Sequence, residues 1–325
     1  MDALSLAAAN LTSPAFLFFA LGVAAGLARS DLEIPQAVAK GLALYLMLAI
    51  GFKGGVEVSR VGLTPDLLLA AGAGVVLSFS MPVIAYALLR AVTKLDQVTA
   101  AAAAAHYGSI SVVTFVAGSE FLTASGLVYS GHMIAVLALM ETPAILTGLL
   151  LAGRGAQSGD ARERSELLRE VALNGSVVLL IGAFAIGWIS GEPGMEKLYP
   201  FVDELFQGVL VLFLLDMGLV AARRMGGAKR LGLSGVAFGI VMPPLGAACA
   251  LGLALLISMS AADAAALMIL GASASYIAVP AAMRIALPKA DPSVYLTLSL
   301  AITFPFNLAI GIPLYAFLAR SVIGV

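Results

Sequence analysis

The sequence predicts an all-α integral membrane protein: ten transmembrane helices in two inverted five-helix repeats, with broken fourth and ninth helices. Three observations lead there. Of 325 residues, 61% are hydrophobic and 11% charged, with a mean hydropathy of +1.03, whereas charged residues make up about a quarter of a soluble domain. Apolar stretches of near 20 residues, enough to cross about 30 Å of hydrocarbon, recur along the whole chain. The second half also restates the first, about 164 residues later.

The restatement is visible segment by segment. LYLMLAIGFKGGVEVSR, ending at Arg60, is echoed by LVLFLLDMGLVAARR at 210–224, and SMPVIAYALL at 80–89 by VMPPLGAACAL at 241–251. GSISVVTFVAG at 108–118 is echoed by GASASYIAVPAA at 271–282, so Ser109 and Ser111 fall opposite Ser273 and Ser275. A half-length repeat in an apolar chain is the pattern of secondary transporters, which hold their substrate where the halves meet.

In chain order, the expected spans are 14–29, 35–58, 66–90, 97–120, 125–152, 172–190, 200–222, 231–258, 262–284 and 293–319. Five per half is an odd number, so the second copy enters the bilayer from the opposite side, related to the first by a pseudo-two-fold axis in the membrane plane. The first repeat covers 1–152 and the second 171–325. Between them lies the polar linker GRGAQSGDARERSELLRE, 153–170, a solvated connection that also offers a place for a cytoplasmic regulator to dock. The whole is one membrane domain. MDALSLAAANLTSP at the N-terminus lacks the positive n-region of a secretory signal, so the first stretch is expected to remain as a span.

Thirteen Lys and Arg residues fall on the side of Arg29, Arg90, the linker, Arg223 and Arg284; only Lys53, Arg60, Lys197 and Arg320 fall on the other. The richer side is expected to be cytoplasmic, placing both termini outside the cytoplasm of a multi-pass protein of the cell (inner) membrane.

Several function classes are disfavoured. A net charge of −1 argues against a nucleic-acid surface. The single Cys249 permits no internal disulfide, and His106 and His132 have no metal-ligand spacing, so no cofactor or metal centre is expected. No phosphate-binding loop, metalloprotease motif or nucleophile elbow occurs, so the chain does not read as an enzyme. Ser109 or Ser111 with His106 is the one weak candidate for a catalytic dyad.

The fourth span carries Gly108, Ser109 and Ser111 near its middle, and the ninth carries Gly271, Ser273 and Ser275 at matching depth. Glycine lowers helix propensity and serine competes for backbone hydrogen bonds, so both spans are expected to break at mid-membrane. Broken backbone survives there only around a protein-lined cavity. Two opposed half-helix N-termini would present N–H donors, positive dipole ends and serine hydroxyls to a small anion, with Pro280 suited to restarting the second helix. Thr114 adds a hydroxyl one turn beyond the first break. Tyr107 and Tyr276, beside the breaks, either donate a hydroxyl to the pocket or plug it.

Ionisable groups inside spans are functional candidates by default. Glu141 in the fifth span could bind a cation or relay a proton, and His106 could carry protons near the first break. Asp216 in the seventh span has Phe52 or Lys53 as its repeat counterpart and could pair with a basic residue near the cytoplasmic face. Lys40 and Lys53 read as snorkelling residues.

LEIPQAVAKGLALYLMLAIGFKGGVEV at 32–58, METPAI at 140–145, LYPFVDELFQGVLVLFLLDMG at 198–218 and IAVPAAMRIALPKADPSVYLTLSLAITFPFNLAIGIPLY at 277–315 resemble the sodium-dependent bicarbonate transporters of the SbtA family over nearly the whole chain. The resemblance implies ten helices in two inverted repeats, an elevator-like movement of core against gate, a trimer, and symport of Na+ with bicarbonate held between the fourth and ninth helices. Glu141 matches a family aspartate. The family places an aspartate and a serine where this chain has Tyr276 and Ala278, and Tyr276 is a poor ligand for a hard cation. Three readings therefore stand: a Na+–bicarbonate symporter, a proton-coupled or facilitative carrier of another small organic anion using Glu141 or His106, and a non-transporting membrane sensor or scaffold.

Overall fold

The computed structural model describes residues 3–62, 64–153 and 175–324. Among these residues every regular element is helical. The inter-repeat linker from Arg154 onward, and the start of the expected sixth span at 172–174, lie outside the described residues.

Helix starts follow local capping chemistry. α1 (Ala3–Leu11) leads into α2 (Pro14–Leu27), where Ser13 caps the Phe16 N–H and Pro14 needs no donor. α3 (Gln36–Val61) is followed by α4 (Pro65–Val92), capped by Thr64 through the Leu67 N–H. Asp96 accepts from the Val98 and Thr99 N–H groups and starts α5 (Gln97–Ala105). Then come α6 (Val112–Ala124), α7 (His132–Leu139) and α8 (Glu141–Leu151). In the second half, α9 (Gly175–Tyr199) bends at Gly191 (φ 53°), and a π-helical turn, Pro200–Glu204, leads into α10 (Phe206–Leu256). Gly232 (φ 67°) breaks α10, a left-handed backbone that glycine tolerates at no steric cost. Ser260 caps α11 (Ala261–Ala272), which is followed by α12 (Ala278–Ala286) and the helical span α13 (Pro292–Ile323). α13 contains two π-helical stretches, Thr297–Thr303 and Asn307–Gly311.

Six helical stretches are long and apolar enough to cross a membrane, and α1 with α2, bent by 57°, would make a seventh. α5, α6, α11 and α12 have 9, 13, 12 and 9 residues, too short to cross alone. They occur as two interrupted pairs, α5/α6 and α11/α12, at the positions where the serine and glycine clusters weaken helix.

Small residues bring these interrupted helices together. Ala100 to Ala105 of α5 and Ala264 to Ala266 of α11 are wholly buried. Lipid is as apolar as leucine, so close contact between backbones, rather than hydrophobic transfer, holds such helices.

Glycine makes an equivalent cross-contact twice. A Cβ on Gly22 would collide with Leu215 O, and one on Gly187 with Phe52 O; a Cβ on Gly218 would collide with Phe19 O, and one on Gly55 with Phe184 O. Each position in one contact maps onto its counterpart at an offset of 163 or 165 residues (22 to 187, 52 to 215, 55 to 218, 19 to 184). α2 is thereby sealed against α10, and α3 against α9. Lys53 does not snorkel alone: it pairs with Asp203 at 2.5 Å and lies 5.0 Å over the Phe206 ring.

Candidate functional site between two helix breaks

Residues 106–111 interrupt α5/α6 and residues 273–277 interrupt α11/α12. The two breaks lie against each other and are cross-bonded. The Ser111 N–H donates to Ser273 Oγ at 3.0 Å, and the Ser275 N–H donates to His106 O at 2.8 Å. Each break thus satisfies a backbone donor of the other, and the Ser273 hydroxyl donates on to Leu270 O at 2.9 Å. Ser111 also caps α6, its Oγ accepting the Thr114 N–H at 3.2 Å. No side chain caps α12, whose N-cap is Ile277.

Gly108 lets the first break lie flat against α4, since a Cβ there would strike Pro82 and Ser78 O. Ser78 turns its hydroxyl to Met140 O at 2.6 Å, fixing the residue before Glu141. On the other side, Asn307 donates to Ala272 O at 2.8 Å and accepts from Tyr315 OH at 2.9 Å. A carbonyl left free by the α11 break is thereby satisfied, which the apolar surroundings demand.

A small cavity opens between the breaks, lined by Met47, Ile110, Ser111, Val112, Glu141, Ser275, Tyr276 and Ile277. Its volume of about 10 Å³ is the room of a single water molecule. The residues that precede both restarting helices, Ser111 and Ile277, lie in its wall, so the positive ends of two helix dipoles face it. Glu141 is 4% exposed, and its Oε2 has no hydrogen-bond partner among the described residues; the Tyr276 hydroxyl is likewise buried and unpartnered. Tyr276 approaches Ser111 without making a well-formed hydrogen bond, and its ring packs edge-on to Phe304 at 5.6 Å.

Of the residues singled out by sequence, Ser111, Ser275, Tyr276 and Glu141 line the cavity. Gly108, Ser273 and Thr114 shape or brace the breaks. Ser109 is fully buried, its hydroxyl unpartnered among the described residues, but lies outside the wall. His106 is also outside it: Nδ1 lies 2.7 Å from Ala102 O and the ring stacks on Tyr295 at 4.5 Å. A carbonyl only accepts, so Nδ1 carries the proton and Nε2 is a buried acceptor without a partner among the described residues. Tyr107 points away, bonding Thr303 Oγ1 at 2.9 Å. Asp216 is buried on α10, within electrostatic reach of Arg223 and of the Tyr276 hydroxyl. Sequence reasoning missed Met47, Ile110, Val112 and Ile277 in the wall, and Thr303 and Asn307 behind it. Asn307 had a signal, as a lone amide within an apolar stretch.

An all-helical fold with several membrane-crossing stretches, built around two interrupted helices, defines a multi-pass membrane transport protein. The chain belongs to the Na+-dependent bicarbonate transporter superfamily, which matches residues 14–320, nearly its whole length. It is accordingly a transporter of anions across the lipid bilayer and not an enzyme. A comparison with the curated proteins found no match.

Proposed function

We propose that the chain is a Na+-coupled symporter that carries bicarbonate into the cell, holding the anion between the two helix breaks of a ten-helix inverted repeat. The observation that carries this reading is the cross-bonding of the breaks through Ser111, Ser273, Ser275 and His106, which brings two helix N-termini to one cavity. The twice-made glycine contact supports the duplicated arrangement. So does a second matched pair: Thr99 of α5 accepts the Asp291 N–H, and Asp263 of α11 accepts the Ser130 N–H.

The cavity has room for one water, whereas bicarbonate has four non-hydrogen atoms. Binding therefore requires the walls to part, as in an elevator-like movement of the interrupted helices against the glycine-sealed α2, α3, α9 and α10. Assembly as a trimer and inner-membrane placement with both termini outside belong to the same proposal.

A proton-coupled carrier of another small organic anion is the second reading, favoured by the unpartnered Glu141 oxygen in the wall. Uptake of labelled bicarbonate into proteoliposomes decides between them. Flux that requires an inward Na+ gradient supports the symporter, whereas no bicarbonate flux, with a labelled small carboxylate taken up along a pH gradient at equal Na+, supports the second reading. Retained bicarbonate binding with no flux would instead indicate a non-transporting sensor.

A further inference from the structure

We propose that Arg29, Arg223 and Arg224 bind the headgroup of an anionic membrane lipid, at the membrane surface where α2 ends beside the middle of α10. The site is separate from the cavity between the breaks and does not depend on what the protein transports.

The packing of α2 on α10 brings these residues together. Gly22 lies against Leu215, and one turn later a Cβ on Gly26 would meet the Cβ of Ala222. Arg29 follows Gly26 by three residues and Arg223 follows Ala222 directly, so the arginines emerge at one end of the contact. That end is at the membrane surface, because α2 stops at Leu27 and the crossing stretches that α10 contributes to end at Ala228 and restart at Leu231. All three arginines are exposed. Exposed apolar residues continue from them along both helices, Leu27 and Leu21 on α2 and Met225 and Leu212 on α10, a surface for the acyl chains of the same molecule. Among the described residues no carboxylate lies within ion-pair distance of any of the three. Asp216, two turns before Arg223, is within its electrostatic reach, Asp31 and Glu33 lie beyond the end of α2, and residues 217–262 contain no acid.

The matching contact of α3 with α9 shows what closes such a position. There Arg60 donates through Nε to Glu192 at 2.6 Å and pairs with Glu57 at 3.1 Å. At the offsets of 163 and 165 residues that relate the glycine contacts, Arg223 stands where Arg60 does, while the two acid positions hold Val220 and Leu27. One contact therefore ends in an arginine neutralised by two carboxylates, and the other in three arginines with neither carboxylate. Arg29 is itself unusual, since its backbone is left-handed (φ 56°) and the following Ser30 N–H closes the helix end on Ala25 O at 2.9 Å. Glycine takes that position without strain, yet a long cationic side chain stands there. A lipid phosphate supplies the missing anion: the planar guanidinium fork matches its oxygens, and arginines at a membrane surface are drawn to anionic headgroups.

The test titrates purified full-length protein in detergent with phosphatidylglycerol and with phosphatidylcholine of the same acyl chains, reading the affinity of the first lipid bound per chain by native mass spectrometry. Wild type is expected to prefer phosphatidylglycerol. The preference is expected to fall about fivefold for each arginine removed, in Arg223→Gln, Arg224→Gln and the double variant. Arg60→Gln, at the end already closed by carboxylates, is expected to keep the wild-type preference. Arg29→Gly suits its backbone and decides the matter if the α10 variants fail to fold; it too is expected to lose about fivefold. Equal affinity of wild type for the two lipids overturns the proposal. So does an undiminished preference in folded R223Q/R224Q or R29G protein, or an equal loss in R60Q, which would reflect net charge alone. Inorganic phosphate is titrated in parallel. If it raises the unfolding temperature as much as phosphatidylglycerol does, the arginines hold free anions and the lipid proposal fails.

Discussion

Ser111 donates its backbone N–H to the hydroxyl of Ser273 at 3.0 Å, so the residue that starts α6 is tied to the residue that ends α11. Water has little access to either group, because Ser111 is 3% and Ser273 1% exposed. Their bond turns two separate helix interruptions into one structural unit.

Ser273→Ala removes the acceptor and strands the Ser111 N–H. The expected cost is about 1–3 kcal/mol, the penalty of a buried unsatisfied donor. Thermal unfolding in detergent measures it, and an unchanged midpoint would show that the two breaks do not depend on this bond.

Gly55→Ala and Gly218→Ala should destabilise to a similar degree, about 1–3 kcal/mol each, because each forces a methyl group into a carbonyl across a helix contact. Gly72→Ala is the control: it has open space around it and should gain about 0.5–1 kcal/mol from helix propensity. Unfolding midpoints for the three variants check the order, and a loss in Gly72→Ala equal to the other two would contradict it.

Asn307→Ala leaves both Ala272 O and the Tyr315 hydroxyl without their partner. We expect a loss of about 1–3 kcal/mol, with faster hydrogen exchange in α11 and the following break. Exchange unchanged at residues 271–277 would mean that the second break holds without Asn307.

The Lys53–Asp203 pair is 34% and 35% exposed, so solvent screens much of its attraction. A double-mutant cycle with Lys53→Met and Asp203→Asn should return a coupling energy of no more than about 1 kcal/mol. A much larger value would show that the pair is dry in the assembled protein.

The helix breaks and the serines facing each other across them were legible in the sequence because their cause is local: glycine and small hydroxyl residues weaken helix wherever they cluster. Glu141 was legible for a different reason, since a charge inside an apolar stretch needs an explanation. Direction was not legible. Tyr107 and Tyr276 both flank a break, yet one reaches back to Thr303 and the other faces the cavity, a difference set by the packing of α13 and α10. His106 had the sequence signature of a proton carrier, and only tertiary contact reveals it stacked on Tyr295, away from the wall. The apolar wall of Met47, Ile110, Val112 and Ile277 carried no signal at all in so hydrophobic a chain. Gly22, Gly55, Gly187 and Gly218 looked like ordinary small residues until their contacts paired them.

Bicarbonate binding to Ser275→Leu, with Ser275→Ala as companion, shows whether the anion is held between the two breaks. Calorimetry on purified protein, alongside thermal unfolding, separates loss of the site from loss of the fold. S275L is expected to fold and no longer bind bicarbonate, and S275A to bind about tenfold more weakly, as loss of one hydrogen bond to an anion implies. Wild-type affinity in a folded S275L protein would contradict it.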